Sequence, residues 1–416
     1  MSSRGELDSP SRTPSMVVGT CDGGSPIGVD GLQHNRHNRL TQSIVHNIQM
    51  IVSFNQSEDR ITGTNGILGD DMSTRVNQRP TQRQIANQVG VSVTTVSRIL
   101  NPDETQPERW ASVDTVEAIR TAAAELGYRR NALAVSLRTS RSQTIGVLLP
   151  MIGDYTFATM FSGIDEVARE NGIMAITAST RDEPTLRSER TFKMLDHLVD
   201  GMIFADAHLD EQFLDELDSQ KVPFTLVHRR HPRHVSVTAD DVSAGKIAAE
   251  HLMRLGRTRL AVVAAKEYMS TGTDRVAGFV QAALDAGLPK PDVYTDGFSV
   301  RAGRDAALKM MSLPEPPDGI FCIHDLSVLG AISVFKQHGM TIPDDVACLG
   351  FYDSPMAWAS EITSIGVDLK QMGRRSLELL MDRLSGKSVA SEVLPVSLFV
   401  RQSTDPTQVT TSNLPT

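Results

Sequence analysis

Only three cysteines, Cys21, Cys322 and Cys348, occur in 416 residues, and their spacing matches no metal-ligand pattern. So odd and sparse a set fits a reducing cytoplasm better than a disulfide scaffold. No run approaches about 18 consecutive apolar residues, so no membrane-spanning helix is expected. The polar N-terminus lacks the roughly 7–15-residue apolar core of a secretory signal, and no such leader is expected either. Several enzyme signatures are also missing: there is no GxSxG elbow, no HExxH and no GxxxxGK[ST] loop. The spaced glycines of "GTNGILG" (63–69) follow no strand, which argues against a phosphate loop.

What is present is ordinary globular material, 40% hydrophobic and 22% charged, enough to bury a core. At roughly 100–200 residues per domain, the length suggests two to three domains. Taken whole, the net charge of −9 argues against a nucleic-acid binder. Its distribution argues otherwise. Residues 72–142 hold ten Arg, no Lys and six acidic residues, a net of +4, while the first 71 residues carry −3 and the remainder −10. A small basic module on an acidic body is the electrostatic footprint expected of a DNA-binding module.

Four textures follow one another along the chain. Residues 1–78, with "SSRGELDSPSRTPS" and "HNRHNR", are polar and weakly periodic, and read as a disordered extension. The composition change near Met72 leaves open a second reading, in which translation starts there. Residues 79–128 turn helical. Thr81 and Gln84 form a capping-box pattern, Ile85 and Val89 share a face, and Gly90 ends the helix. Ser92 caps a second helix with Val96, Ile99 and Leu100 inward, and "SVDTVEAIRTAAAELGY" makes a third. Two short helices joined by "VGVS" form either a helix-turn-helix or an ordinary packed pair. In the first case Val93, Thr94, Thr95, Ser97 and Arg98 face outward, where small polar groups allow close approach to DNA and Arg98 reaches a phosphate or a guanine edge. From 143, apolar runs such as "TIGVLLP", "GMIFADA", "LAVVAA" and "GIFCIH" alternate with amphipathic helices, the pattern of parallel sheets covered on both faces. The number of units favours two doubly wound subdomains over one sheet. The segment 402–416 reads as a loose tail.

"IANQVGVSVTTVSRILN" followed by "AAAELGYRRNALAVSLRTSRSQTIGVLLP" resembles the LacI family of bacterial transcriptional repressors, over about residues 79–401. The resemblance implies an α/β chain: an all-α helix-turn-helix headpiece (79–128), a hinge (129–143) and two doubly wound, periplasmic-binding-protein-like subdomains (144–401). It places Ser92, Val93, Thr94, Thr95, Ser97, Arg98 and Asn101 at DNA-contacting positions, with Val93 and Thr94 where the family varies its operator choice. It puts Leu137 at the minor-groove wedge of the hinge, with Ala134 beside it. It implies a homodimer on operator DNA, in the cytoplasm on the nucleoid, and a small-molecule effector, by default a sugar, bound between the lobes; no cofactor is expected.

The effector positions implied by the resemblance are Phe157, His228, Arg229, Thr271, Arg275, Phe298, Asp325 and Tyr352. An Arg and an Asp suit sugar hydroxyls, and a phenylalanine can stack on a sugar or base; Asp325 equally suits a helix cap, and the two phenylalanines equally suit core. The chain departs from the family's pattern at Arg130, where a proline is usual, in the longer loop "DETQPERWA" (103–111), and in "GFYDSP", where Tyr352 stands for the first of two aspartates. His228 likewise replaces the Asp of a common Asp-Arg pair, and Val367 a common Gln. His228, His231 and His234 cluster in "LVHRRHPRH", but a spacing of three in a Pro- and Arg-rich loop does not define a tetrahedral site, so no metal is expected. Two other classes stay in view: a solute-binding protein without DNA function, and an enzyme on a doubly wound fold, for which no nucleophile–base constellation is found.

Overall fold

A computed structural model describes residues 80–101, 105–129, 141–295 and 297–407. The chain divides into two units, Met1–Pro80 and Thr81–Thr416. Pro80 alone of the first unit is described, so the expected extension lies outside the described residues, as do the hinge positions Arg130, Ala134 and Leu137.

Three helices form the N-terminal part of the second unit: α1 (Gln82–Val89), α2 (Val93–Ile99) and α3 (Val113–Glu125). Each start has a side-chain cap. Thr81 and Gln84 satisfy each other's backbone reciprocally, and Ser92 and Ser112 each accept from the amide three residues on. Gly90 ends α1 at φ 75°, a left-handed conformation that costs glycine little. Ile85, Val96, Ile99, Val116 and Ile119 close a small core among the three helices. The longer loop before α3 contains a 3-10 turn at Pro107–Arg109.

Two six-stranded sheets follow. In the first lobe, β1 (Thr144–Leu149), α4 (Tyr155–Glu170), β2 (Met174–Ser179), α5 (Pro184–Asp196), β3 (Gly201–Phe204), α6 (Phe213–Ser219), β4 (Phe224–Val227) and β5 (Ser236–Ala239) run in sequence. The chain then crosses into the second lobe, with α7 (Asp241–Arg254), β6 (Leu260–Val263), α8 (Ser270–Asp285), β7 (Asp292–Tyr294), α9 (Val300–Met311), β8 (Gly319–Cys322), α10 (Asp325–Gln337), β9 (Ala347–Phe351), α11 (Pro355–Ala359) and β10 (Thr363–Gly366). It returns through α12 (Leu369–Leu384) to place β11 (Glu392–Leu394) on the edge of the first sheet, and crosses a third time to lay β12 (Ser397–Phe399) on the second. The strand orders are β11-β5-β4-β3-β1-β2 and β12-β10-β9-β8-β6-β7. All pairings are parallel except β12 against β10. The strands read as unbroken apolar runs because helices cover both faces.

Helices cross at paired glycines. A Cβ on Gly163 of α4 would overlap the Lys370 carbonyl of α12, and one on Gly373 the Met160 carbonyl in return. Gly245 and Gly278 do the same for α7 and α8, and Gly303 and Gly330 for α9 and α10. The first residues of the expected loose tail are packed against the second lobe, and residues 408–416 lie outside the described residues. Ser403 and Thr404 are buried, with Ser403 bonded to the backbone of Cys348 and Thr363, and Thr404 to Thr363 and His251. Among the described residues no helix is long and apolar enough to cross a membrane.

Candidate functional site: an exposed helix face and an interlobe cleft

α2 presents the outward face that its sequence pattern calls for. Val93 is 43% exposed, Thr94, Ser97 and Arg98 are exposed, Thr95 and Asn101 are half-buried, and Val96 and Ile99 point into the three-helix core. Ser92 caps the helix, and its hydroxyl lies 2.8 Å from that of Thr95. The Arg98 guanidinium stacks on the Trp110 ring at 3.7 Å from its centroid. The Trp110 indole thereby serves as a shelf for an arginine of α2. An arginine laid flat on an aromatic face has fewer conformations to lose on meeting a phosphate or a base edge.

The second site is a cleft of about 400 Å³ between the lobes. In doubly wound sheets, ligands bind beyond the carboxyl ends of the strands, where the following loops and helix N-termini converge. The first lobe supplies Asp154 and Phe157 after β1, Arg181 and Asp182 after β2, and His228 and Arg229 after β4. The second supplies Lys266 and Tyr268 after β6, Phe298 after β7, His324 after β8 and Tyr352 after β9. Four of these residues, Arg181, Asp182, His228 and Tyr352, have left-handed backbones with φ of 54°, 60°, 72° and 100°. Non-glycine residues hold such angles only where the surroundings compel them, and they cluster at functional sites.

Hydrogen bonds join the lobes across the cleft. His228 Nε2 and the Tyr352 hydroxyl are 2.7 Å apart at its floor. The Tyr268 hydroxyl donates to Asp182 Oδ2 at 3.0 Å, and Tyr268 stacks on His208 at 4.1 Å between ring centroids. Arg230 holds Asp274 through two bonds of 2.7 Å, and His324 faces Asp154 at 3.5 Å. Burial pushes the Asp182 carboxyl up, but the His208 imidazole 3.5 Å away and the charge of Arg229 (2.6 Å away) outweigh it and hold it well below the usual carboxylate range. Burial, with Arg229 and Arg275 nearby, depresses His228, which stays neutral. Tyr268 is pushed up to about 12 by burial and by Asp182.

Five of the eight expected effector residues come together here: Phe157, His228, Arg229, Phe298 and Tyr352 line the cleft. The other three do not line it, and two of them, Arg275 and Asp325, are taken up by buried partners. Arg275 is 1% exposed beneath Tyr352. Its Nε bonds Asp241 at 2.7 Å, its Nη1 the Ile323 carbonyl at 2.8 Å, and its Nη2 the Tyr352 hydroxyl at 3.3 Å, while the ring of Phe351 covers its face. Asp325 is fully buried at the start of α10, where it accepts from the Ser354 amide (2.8 Å) and the Ser364 hydroxyl (2.7 Å). His324, not Asp325, caps that helix. Thr271 is buried in the first turn of α8. Asp154, Asp182, Tyr268 and His324 also line the cleft, at positions that no sequence motif marks as ligand-binding. Each follows a strand terminus by a few residues, the one signal that marks it beforehand.

Comparison with known proteins follows the same division. The family model described as "Bacterial regulatory proteins, lacI family" matches residues 81–131, and that described as "Periplasmic binding proteins and sugar binding domain of LacI family" matches 142–404. The HTH-type transcriptional regulator CelR of Thermobifida fusca is 30% identical over 346 residues, covering 78% of this chain and 98% of the relative. A solved structure of a transcriptional regulator CelR–cellobiose complex is 27% identical, with a TM-score of 0.58 over 78% of this chain and all of the other. The lac repressor dimer bound to operator and the anti-inducer ONPF shares the fold at 22% identity, with a TM-score of 0.72 over 79% of this chain and 99% of the other.

Proposed function

The chain belongs to the LacI family of bacterial regulatory proteins, and from that premise we propose that it is a repressor released or tuned by a polar small molecule, a sugar in the first instance, bound between its lobes. The observation that carries this reading is the cleft itself. Phe157, Phe298 and Tyr268 offer flat apolar faces, and Asp154, Arg181, Lys266 and His324 offer hydrogen-bonding groups of both signs, within one cavity of about 400 Å³. Aromatic faces with charge-assisted donors and acceptors suit a hydroxyl-bearing ring.

The protein works as a homodimer in the cytoplasm, on the nucleoid, with two α2 helices in successive major grooves of a pseudo-palindromic operator. The effector acts through the lobe-to-lobe bonds. A ligand that engages Asp182, Tyr268 or His324 competes with or completes the contacts across the cleft, and so favours one lobe arrangement over another. Only a ligand that prefers one arrangement shifts operator affinity.

The test is a gel-shift titration of the full chain on DNA from the region upstream of its own gene, with and without a panel of mono- and disaccharides. The expected result is a salt-dependent complex, weakened or strengthened by one ligand class, and the same ligand raises the melting temperature. The alternative, a solute-binding protein without DNA function, wins if no fragment shifts even at low salt while a ligand still raises the melting temperature.

A further inference from the structure

A cluster on the first lobe, outside the cleft lining, brings together two imidazoles and a carboxylate. The turn from β4 to β5 pairs His231 with His234 as an antiparallel bridge, which sets both rings on one side, stacked at 4.9 Å between centroids and 23° between planes. Asp215 of α6 faces them, its Oδ1 2.8 Å from His234 Nε2. One donor atom from each of Asp215, His231 and His234 lies within 4.8 Å of the other two. His231 is buried, the His234 side chain is 6% exposed, and the ring of Phe224 packs edge-on against His234 and holds its orientation.

We propose that Asp215, His231 and His234 form a binding site for a borderline divalent transition-metal ion, zinc above all. Two imidazole nitrogens and one carboxylate oxygen are a three-ligand zinc set, with water or another small ligand in the fourth place. At zinc–ligand lengths near 2.0–2.1 Å, donors of a tetrahedral site stand roughly 3.3 Å apart, so small side-chain rotations close the present spread. Two contacts yield in the process. Arg233 is ion-paired with the free oxygen of Asp215, but its side chain is 64% exposed and swings into water at little cost. The Arg233 amide also reaches His231 Nδ1 at 3.4 Å, a long bond. The three-residue spacing alone does not define this site, because the third ligand arrives from α6, where only the fold brings it near. A bound ion would pin the β4–β5 turn, which also carries Arg229 and Arg230, against α6.

The experiment is a calorimetric titration of the full chain with zinc chloride. Its background is the double variant His34→Gln/His37→Gln, so that the "HNRHNR" run contributes nothing. One zinc ion per chain is expected, with a raised melting temperature, and cobalt(II) in its place should give a visible d–d absorption band. Asp215→Asn and His231→Gln should each lower zinc affinity by more than roughly tenfold. The proposal is overturned if the background protein takes up no zinc, or if both variants bind it as tightly as the background does. Asp215 is a third exposed, so Asp215→Asn decides the matter even if His231→Gln fails to fold.

Discussion

A side chain's type and position in a motif do not settle what it does; its nearest partners do. Arg98 and Arg275 make the contrast. Arg98 is solvent-facing on α2, and Trp110 holds it flat without burying it. Arg98→Ala should cost about 1–3 kcal/mol of operator binding, read by gel shift, with the thermal melt unchanged. Trp110→Ala should cost less, about 0.5–1 kcal/mol, because it removes only the pre-ordering of Arg98. Normal operator affinity in both variants would remove the pair from the DNA interface. Arg275 is sealed under Tyr352 and Phe351 and paired with Asp241. Arg275→Ala leaves the Asp241 carboxylate buried without its cation, a loss of about 3–5 kcal/mol of stability. Urea denaturation should show this before any effector response is measured. A variant as stable as the wild type that had lost its ligand would return Arg275 to the cleft.

Among the elements, short contacts between helices decide how each lobe packs. The three glycine pairs let α4 and α12, α7 and α8, and α9 and α10 cross with backbone against backbone. Gly245→Ala puts a methyl group against the Arg275 carbonyl, a backbone atom that cannot rotate away. It should destabilise the protein by about 1–3 kcal/mol or more, seen as a lower urea midpoint at unchanged m-value. Little change in midpoint would mean the helices can part at no cost. Helix caps and the major βα units are legible in the sequence, since Thr81, Ser92 and the unbroken apolar strands follow local rules. β5, β7, β10, β11 and β12 are not. β7, β11 and β12 are only three residues long, β11 and β12 lie on sheet edges, and β5 (SVTA) and β10 (TSIG) carry Ser, Thr and Gly in place of an apolar run. α12 escapes notice for another reason. It belongs to the first lobe by packing against α4, although it follows the strands of the second.

At the scale of the whole molecule, buried histidines tie stability to pH. His251 is buried against the Thr404 hydroxyl that anchors the C-terminal segment, and burial with Arg254 nearby lowers its pKa to about 4. His228 is depressed in the same direction. Both are neutral in the folded state, whereas an unfolded histidine takes up its proton near 6.5. Stability is therefore fully present above about pH 6.5 and falls as the pH drops from there toward 4, because the unfolded chain binds protons that the folded one refuses. Thermal melts across that window should show the decline, with a shallower slope in His251→Gln; an equal slope would mean His251 does not contribute. Composition and periodicity by themselves determined a basic pair of short helices and an acidic pair of parallel sheets, because secondary structure and charge are written locally along the chain, and the resemblance carried by "GVSVTTVSRILN" named the helix pair a helix-turn-helix. Only the tertiary structure decided which groups meet. The cleft gathers residues from Asp154 to Tyr352, Asp215 comes to His231 and His234, and Arg275 and Asp325 turn inward to partners that a charge removed from water must have.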